Sequence, residues 1–335
     1  MRECVLATEN EFDKAREIFI SSEHFNIRRA PSAENILTEF ILANNCRAVI
    51  LGVDVYIGPL YEALGRTGGK RGAVIARYGV GHDGINKELV CRHNIMVTNT
   101  PVVLDRSVAE HTLCLLGTVA RKIVRLDAEF RGGNFGGNAG LELFGKTLGI
   151  IGFGSIGRLV ARMAHFGFGM KVAATDVLSP PELENRLGKS LNEIKIEFGL
   201  EEYVNNAEAV LKKADVITLH LPSLPETRHF INSARLAMMK PAAILINTAR
   251  GPIVDERALY DSLAEDRLAG AGLDVFEREP YVPVEPQKDL RKLKNVVLTP
   301  HIASNTAESN QRMARCCLEN IRNFMDDRLD RLARI

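Results

Sequence analysis

Leu148-Gly149-Ile150-Ile151 runs straight into Gly152-Phe153-Gly154-Ser155-Ile156-Gly157, and Arg158-Leu159-Val160-Ala161 follows. No other stretch constrains the fold as strongly. The apolar run predicts a buried strand over 147–152, and the spacing after it predicts a helix over 156–166. Gly152 permits the tight turn between them. Gly154 lets backbone approach a bound group, and Gly157 lets helix and strand pack closely. A helix N-terminus presents free N–H groups and the positive end of its dipole, so the group it suits is an anion such as a pyrophosphate. The six-residue pattern alone is weak, but its context strengthens it. A second strand predicted over 171–175 ends at Asp176, about 20 residues past the loop. A carboxylate there accepts from a ribose 2′-hydroxyl and repels a 2′-phosphate. The loop therefore predicts a dinucleotide site that prefers NAD to NADP.

The rest of the chain fits an α/β protein. Short apolar runs alternate with amphipathic stretches, as in β-α units with parallel sheets. Strands are predicted over 4–8, 48–52, 73–77 and 96–99, then over 216–219, 244–247, 271–274 and 296–299. Helices are predicted over 13–20 and 35–44, and one long helix over 107–130 that opens on a Ser107/Glu110 capping box. The polar stretch 178–206 is long for a connection; it predicts a helix of its own outside the sheet. A final helix over 307–326 has no strand partner and is expected to return to the N-terminal part. This gives two doubly wound parallel-sheet domains: residues 1–101 with 303–335 for substrate, and an inserted NAD-binding Rossmann domain, 102–302, with a cleft between them.

Composition excludes several classes. The 335 residues are 46% hydrophobic and 25% charged with a formal net charge of +1, which favours neither nucleic acid nor a membrane surface. No apolar run approaches the roughly 20 residues that span a bilayer. The N-terminus reads as a strand rather than a signal peptide, so a cytoplasmic enzyme is the expectation. Six scattered cysteines form no C-x-x-C pair, which suggests reduced thiols and no metal site.

Three charged residues stand just past apolar strands, where open α/β sheets place ligands. They are Arg250, Glu279 and His301. Singly, each could be a surface ion pair, a solvated acid or a turn residue. Together they match what hydride transfer at a hydroxyl carbon needs. Histidine handles the proton near neutral pH. A carboxylate against an imidazole favours its protonated form. Arginine grips a carboxylate with a forked, permanent charge. His220, at the end of a strand, reads as an orienting or packing residue. Tyr56 is placed to line the pocket, and His82 reads as a solvated loop residue.

These motifs resemble the D-isomer-specific 2-hydroxyacid dehydrogenases. The resemblance is carried by Arg77-Tyr78-Gly79-Val80-Gly81, Ser107-Val108-Ala109-Glu110-His111-Thr112 and the Gly152 loop. It continues through His220-Leu221-Pro222, Asn247-Thr248-Ala249-Arg250-Gly251, Asp274-Val275-Phe276-Glu277-Arg278-Glu279-Pro280 and Pro300-His301-Ile302-Ala303-Ser304. It implies that Arg250 binds the substrate carboxylate and carbonyl, that His301 exchanges the proton, and that Glu279 pairs with His301. It implies carboxylate contacts from the Val80 and Gly81 amides. Cofactor contacts are implied at Gly152, Gly154, Ser155, Ile156, Gly157, Asp176, His220, Pro222, Thr248, Ala249 and Asp274, with Asp274 on the nicotinamide carboxamide. A homodimer or tetramer is implied, with contacts from the 107–130 helix. Formate dehydrogenases lack the glutamate, so Glu279 argues against them. Phosphite dehydrogenases and the NAD-sensing C-terminal-binding corepressors keep all three residues and stand as alternatives.

Overall fold

The structure is a computed structural model, in which residues 2–333 are described. Its contacts divide into two units, Met1–Leu104 with Ser304–Ile335, and Asp105–Ala303. The crossovers thus fall after Leu104 and Ala303, where the sequence placed them after 101 and 302.

In the first unit the strands are β1 (Glu3–Thr8), β2 (Phe25–Ala30), β3 (Ala48–Leu51), β4 (Ala73–Arg77) and β5 (Ile95–Thr98). They form one parallel sheet in the order β2-β1-β3-β4-β5. This is the flavodoxin-like order, in which chain direction across the sheet reverses between β1 and β3. β3 and β4 are buried at every position because helices cover both faces. The final helix, Ala307–Met325, buries Met313, Ala314, Cys317 and Ile321. Tyr78 Oη donates to Asn310 O at 2.7 Å, Asn320 Nδ2 to Asn99 O at 2.9 Å and Arg312 Nε to Val103 O at 2.7 Å. The helix therefore belongs to this unit.

The second unit contains β6 (Thr147–Ile151), β7 (Lys171–Thr175), β8 (Leu200–Val204), β9 (Val216–Leu219), β10 (Ile244–Asn247), β11 (Gly270–Leu273) and β12 (Val296–Leu298). All pair in parallel, in the order β12-β11-β10-β9-β6-β7-β8. Counted from β6, this is the Rossmann order with one strand added beyond it. Its switch point lies between β6 and β9. Leu148, Ile150, Val160, Ala164 and Ile246 form one core cluster; Ile151, Ile217, Leu245 and Leu273 form another.

Several sequence expectations are corrected. The 178–206 stretch carries two helices, Pro180–Leu187 and Leu191–Phe198, each opened by a serine–glutamate capping box at Ser179 and Ser190. It then supplies β8 to the sheet edge, so it does not lie wholly outside the sheet. The long helix is two helices, Asp105–Ala120 and Ile123–Arg131, separated by Lys122 in the left-handed region at φ 55°. Its first turn begins at Asp105, which puts Ser107 inside the helix, and Glu110 pairs with Arg106 at 2.9 Å rather than closing a capping box. The first predicted helix is likewise two, Glu9–Lys14 and Arg16–Ile20, broken at Ala15. Tyr56 lies buried in the core of the first unit, packed among residues such as Leu60 and Ile75, and does not line an open surface. All six cysteines are free thiols. No helix among the described residues is long and apolar enough to cross a membrane.

Candidate active site

The Gly152 loop follows from its glycines. Gly152 sits at φ 98°, a conformation disfavoured for side-chain-bearing residues, and an added Cβ would collide with His220 O. At Gly157 an added Cβ would collide with Gly152 O, so the helix Ser155–Phe168 could not come this close to its strand. Gly154 differs. It is the helix N-cap, and an added Cβ would meet nothing within 4 Å. The space in front of this helix N-terminus is open, bordered by exposed Ser155 and half-buried Ile156. Asp176 stands beside it. Its Oδ2 accepts from Phe153 N at 2.6 Å and its Oδ1 from Leu178 N at 3.3 Å, so the carboxylate also braces the loop. Asp105, which the sequence reading passed over, is a second acid here. Burial pushes its carboxyl up, against a hydrogen bond with Ser155 and the charge of Arg158.

His220 follows β9. Its Nε2 lies 3.0 Å from Thr218 Oγ1, and burial pushes the imidazole down to about 3. It stays neutral, in keeping with an orienting role. Pro222 is exposed and its carbonyl accepts from Thr227 Oγ1 at 2.7 Å.

Past β10, Asn247 folds the next turn over its own side chain. Nδ2 donates to Arg250 O at 2.9 Å, and Oδ1 accepts from Ala249 N at 3.0 Å. Thr248 Oγ1 lies 2.8 Å from Thr112 Oγ1. Arg250 Nη1 donates to Ala249 O at 2.6 Å. Gly251 then presses on the next loop so tightly that any Cβ would overlap the Phe276 carbonyl. The arginine-bearing turn is thus seated on the glutamate-bearing turn.

Past β11, Asp274 is fully buried. Thr299 Oγ1 donates to its Oδ1 at 2.6 Å and Ile302 N to the same oxygen at 2.9 Å, while Ala303 N donates to Oδ2 at 2.8 Å. Burial pushes this carboxyl up, but His111, Thr299 and the two amides together hold it below the usual carboxylate range. His111 Nε2 also lies 3.1 Å from Thr299 Oγ1. Asp274 is therefore the anchor of the turn that presents His301.

His301 itself sits at φ 53°. Its Nδ1 meets Glu279 Oε2 at 2.7 Å, and Glu279 Oε1 accepts from Phe276 N at 2.9 Å. Their side chains are 30% and 34% exposed, open enough to meet a ligand. Because Nδ1 is engaged, Nε2 is the ring nitrogen left to exchange a proton.

Behind these residues lies a network the sequence did not reveal. Glu277 Oε2 meets His229 Nε2 at 3.0 Å, and Glu277 pairs with Glu256 through main chain and side chain. Burial, then the neighbouring Glu277 and Glu279 carboxylates, push Glu256 up to about 7. Asp255-Glu256 reads in sequence only as acids at a helix start, so nothing there marks a buried pair. In the first unit, Gly79 stands at φ 144° and Val80 is partly exposed, with its carbonyl accepting from Asn99 Nδ2 at 3.0 Å. His82 in the same loop is half-buried.

The chain is similar to known proteins of one family. Residues 113–303 match the family model of the D-isomer specific 2-hydroxyacid dehydrogenase NAD binding domain. A glyoxylate reductase of Thermococcus litoralis is 44% identical over 257 residues, 74% of this chain and 72% of that protein. One from Korarchaeum cryptofilum is 38% identical over 310 residues, 89% of this chain and 86% of that protein. The crystal structure of D-lactate dehydrogenase with NAD+ from Lactobacillus jensenii aligns with a TM-score of 0.74 at 29% identity, covering 96% of this chain and 97% of that one.

Proposed function

Because the chain belongs to the D-isomer-specific 2-hydroxyacid dehydrogenase family, we propose that it interconverts a 2-oxo acid and a D-2-hydroxy acid with Arg250, Glu279 and His301 as its catalytic residues. The observation that carries the reading is the His301 Nδ1 to Glu279 Oε2 contact of 2.7 Å past the β12 and β11 ends of an NAD-binding sheet. The open helix N-terminus at Gly154 fits a pyrophosphate, and Asp176 fits an adenosine ribose. Ser155, Ile156, Pro222, Thr248 and Ala249 all follow the carboxyl ends of central strands, β6, β9 and β10. When bound, the nicotinamide supplies or accepts the hydride.

The chain's own residues do the rest. Glu279 holds His301 in one tautomer and orientation. His301 Nε2 gives its proton to the carbonyl oxygen in reduction and takes it back in oxidation. Arg250 binds the substrate carboxylate and polarises the adjacent carbonyl. Asp274, fully buried, serves by holding the His301 turn. Glyoxylate, the substrate named for the relatives above, leads the candidates.

The second unit also exposes Ile123, Val124, Phe130, Phe135 and Phe144, with Phe135 94% exposed. Exposed apolar side chains of this kind support a homodimer. A monomer by sedimentation at micromolar concentration would contradict it.

His301→Ala tests the mechanism. Removal of the general acid is expected to lower kcat by about 10²–10⁴-fold while NADH affinity stays within about two-fold. Unchanged turnover would remove His301 from the mechanism.

A further inference from the structure

Glu256 is a buried carboxyl outside the catalytic trio. It opens the helix Glu256–Ala264 and is 3% exposed. The helix does not need it as a cap, since the Asp255 side chain already accepts from Arg257 N and Ala258 N. Instead Glu256 reaches sideways. Its Oε1 accepts from Glu277 N at 2.5 Å, and Glu277 Oε1 accepts from Glu256 N at 3.1 Å. The two residues hold each other through one backbone amide and one carboxylate apiece. Glu256 Oε2 is buried with no hydrogen-bond partner among the described residues. A carboxyl left half-satisfied in the interior is costly, so its retention calls for a reason beyond local stability.

The neighbouring contacts supply one. Glu277 also meets His229 Nε2 at 3.0 Å through its other oxygen, and His229 N donates to Pro252 O at 2.7 Å. The segment from Arg250 to Glu256 and the turn from Phe276 to Glu279 are thus joined at two places, by the Gly251 close approach and by the Glu256–Glu277 pair. Glu279 hangs from that turn. One of its oxygens accepts from Phe276 N and the other meets His301 Nδ1. Phe276 is wedged against Gly251, and the next peptide of the turn is held at Glu277 N by Glu256.

We propose that Glu256 is a positioning residue: by holding the Glu277 peptide it sets where the Glu279 carboxylate stands against His301. The proposal rests on the hydride-transfer reading for its catalytic consequence, though not for the clamp itself. Placement errors of this kind are costly in catalysis, since a 1 Å displacement can cost about 100-fold.

Glu256→Gln keeps an oxygen that accepts from Glu277 N, whereas Glu256→Ala removes it. In the alanine variant the amides of residues 276–279 are expected to exchange hydrogen faster than in the wild type. Its kcat is expected to fall roughly ten-fold or more, with NADH affinity within two-fold of the wild type. The glutamine variant is expected to match the wild type in both. Unchanged exchange in the alanine variant would overturn the proposal, and so would faster exchange with wild-type kcat. If the alanine variant does not fold, Glu256→Asp, one methylene shorter, is read by the same criteria. A wild type that turns over no 2-oxo acid would overturn the hydride-transfer reading, and amide exchange would then decide the clamp alone.

Discussion

The two units meet the same structural opportunity in opposite ways. Each has a parallel sheet with a switch point, between β1 and β3 in the first and between β6 and β9 in the second. Each has a helix starting just past the first strand of the unit. In the first unit that start is filled from within. Glu9 and Glu11 lie in the first helical turn, Glu11 is buried, and its carboxylate accepts from Thr8 Oγ1. Gly52, past β3, is what makes room, because a Cβ there would collide with the Glu11 carboxylate. In the second unit the start is left open at Gly154. Sheet order offers an anion position in both. The residues of the first turn differ accordingly: Glu11 sets a carboxylate beside Thr8 in the first unit, whereas Gly154 leaves the start of the second clear.

Mirrored substitutions would sharpen this contrast. Gly154 has extended backbone angles that valine tolerates, and a Cβ there meets no protein atom within 4 Å. Gly154→Val is therefore expected to weaken NADH binding by about 100-fold, roughly 3 kcal/mol, with Tm almost unchanged. Titration of NADH by fluorescence together with a thermal melt reads both, and retained affinity would mean the open end is not the phosphate site. In the filled end the expectation reverses. Gly52→Ala crowds Glu11 and is expected to cost about 1–3 kcal/mol of stability while NADH affinity is retained. A Tm equal to wild type would show that the Glu11 plug yields freely.

The buried carboxyls of the two units differ as well. Glu11 has Thr8 and Lys14 as partners, the latter at 3.5 Å, whereas one oxygen of Glu256 has none among the described residues. Glu256, pushed up to about 7 by burial and by Glu277 and Glu279, keeps in the folded state a proton that the unfolded chain has already lost. Folding stability from this residue is therefore full below the ordinary carboxylate range and is lost as pH rises toward 7. The slope is about 1.4 kcal/mol per pH unit at most. Glu256→Gln removes the slope, so its melting temperature should match the wild type near pH 4 and exceed it at pH 8. An equal gap at both pH values would contradict the assignment.

The sequence made some of this legible and hid the rest for identifiable reasons. Strands buried on both faces, such as β3 and β10, read as unbroken apolar runs and were found within a residue. The missed strands are both sheet edges. β2 buries Phe25 and Ala30 but exposes Arg28 and Arg29, and β8 buries Leu200 and Tyr203 around Glu201 and Glu202. An edge strand covers little apolar surface, so its pattern resembles a loop. The break at Lys122 depends on a left-handed residue with no glycine to mark it. At the site, His301 and Glu279 drew notice only as a set with Arg250 and the Gly152 loop, since singly each reads as an ordinary surface or turn residue, and the contact between them is seen only in the fold. The work of Asp274 on the His301 turn and the pairing of Glu256 with Glu277 arise from tertiary approach, and no local spacing encodes it.

The most direct test of the account is made on the wild-type chain: NADH is supplied with a panel of 2-oxo acids, from glyoxylate and hydroxypyruvate to bulkier ones, and loss of the reduced nicotinamide absorbance is followed. Steady NADH oxidation with at least one member is expected. Tight NADH binding with no oxidation by any of them would contradict it and favour a protein that senses the dinucleotide without using it.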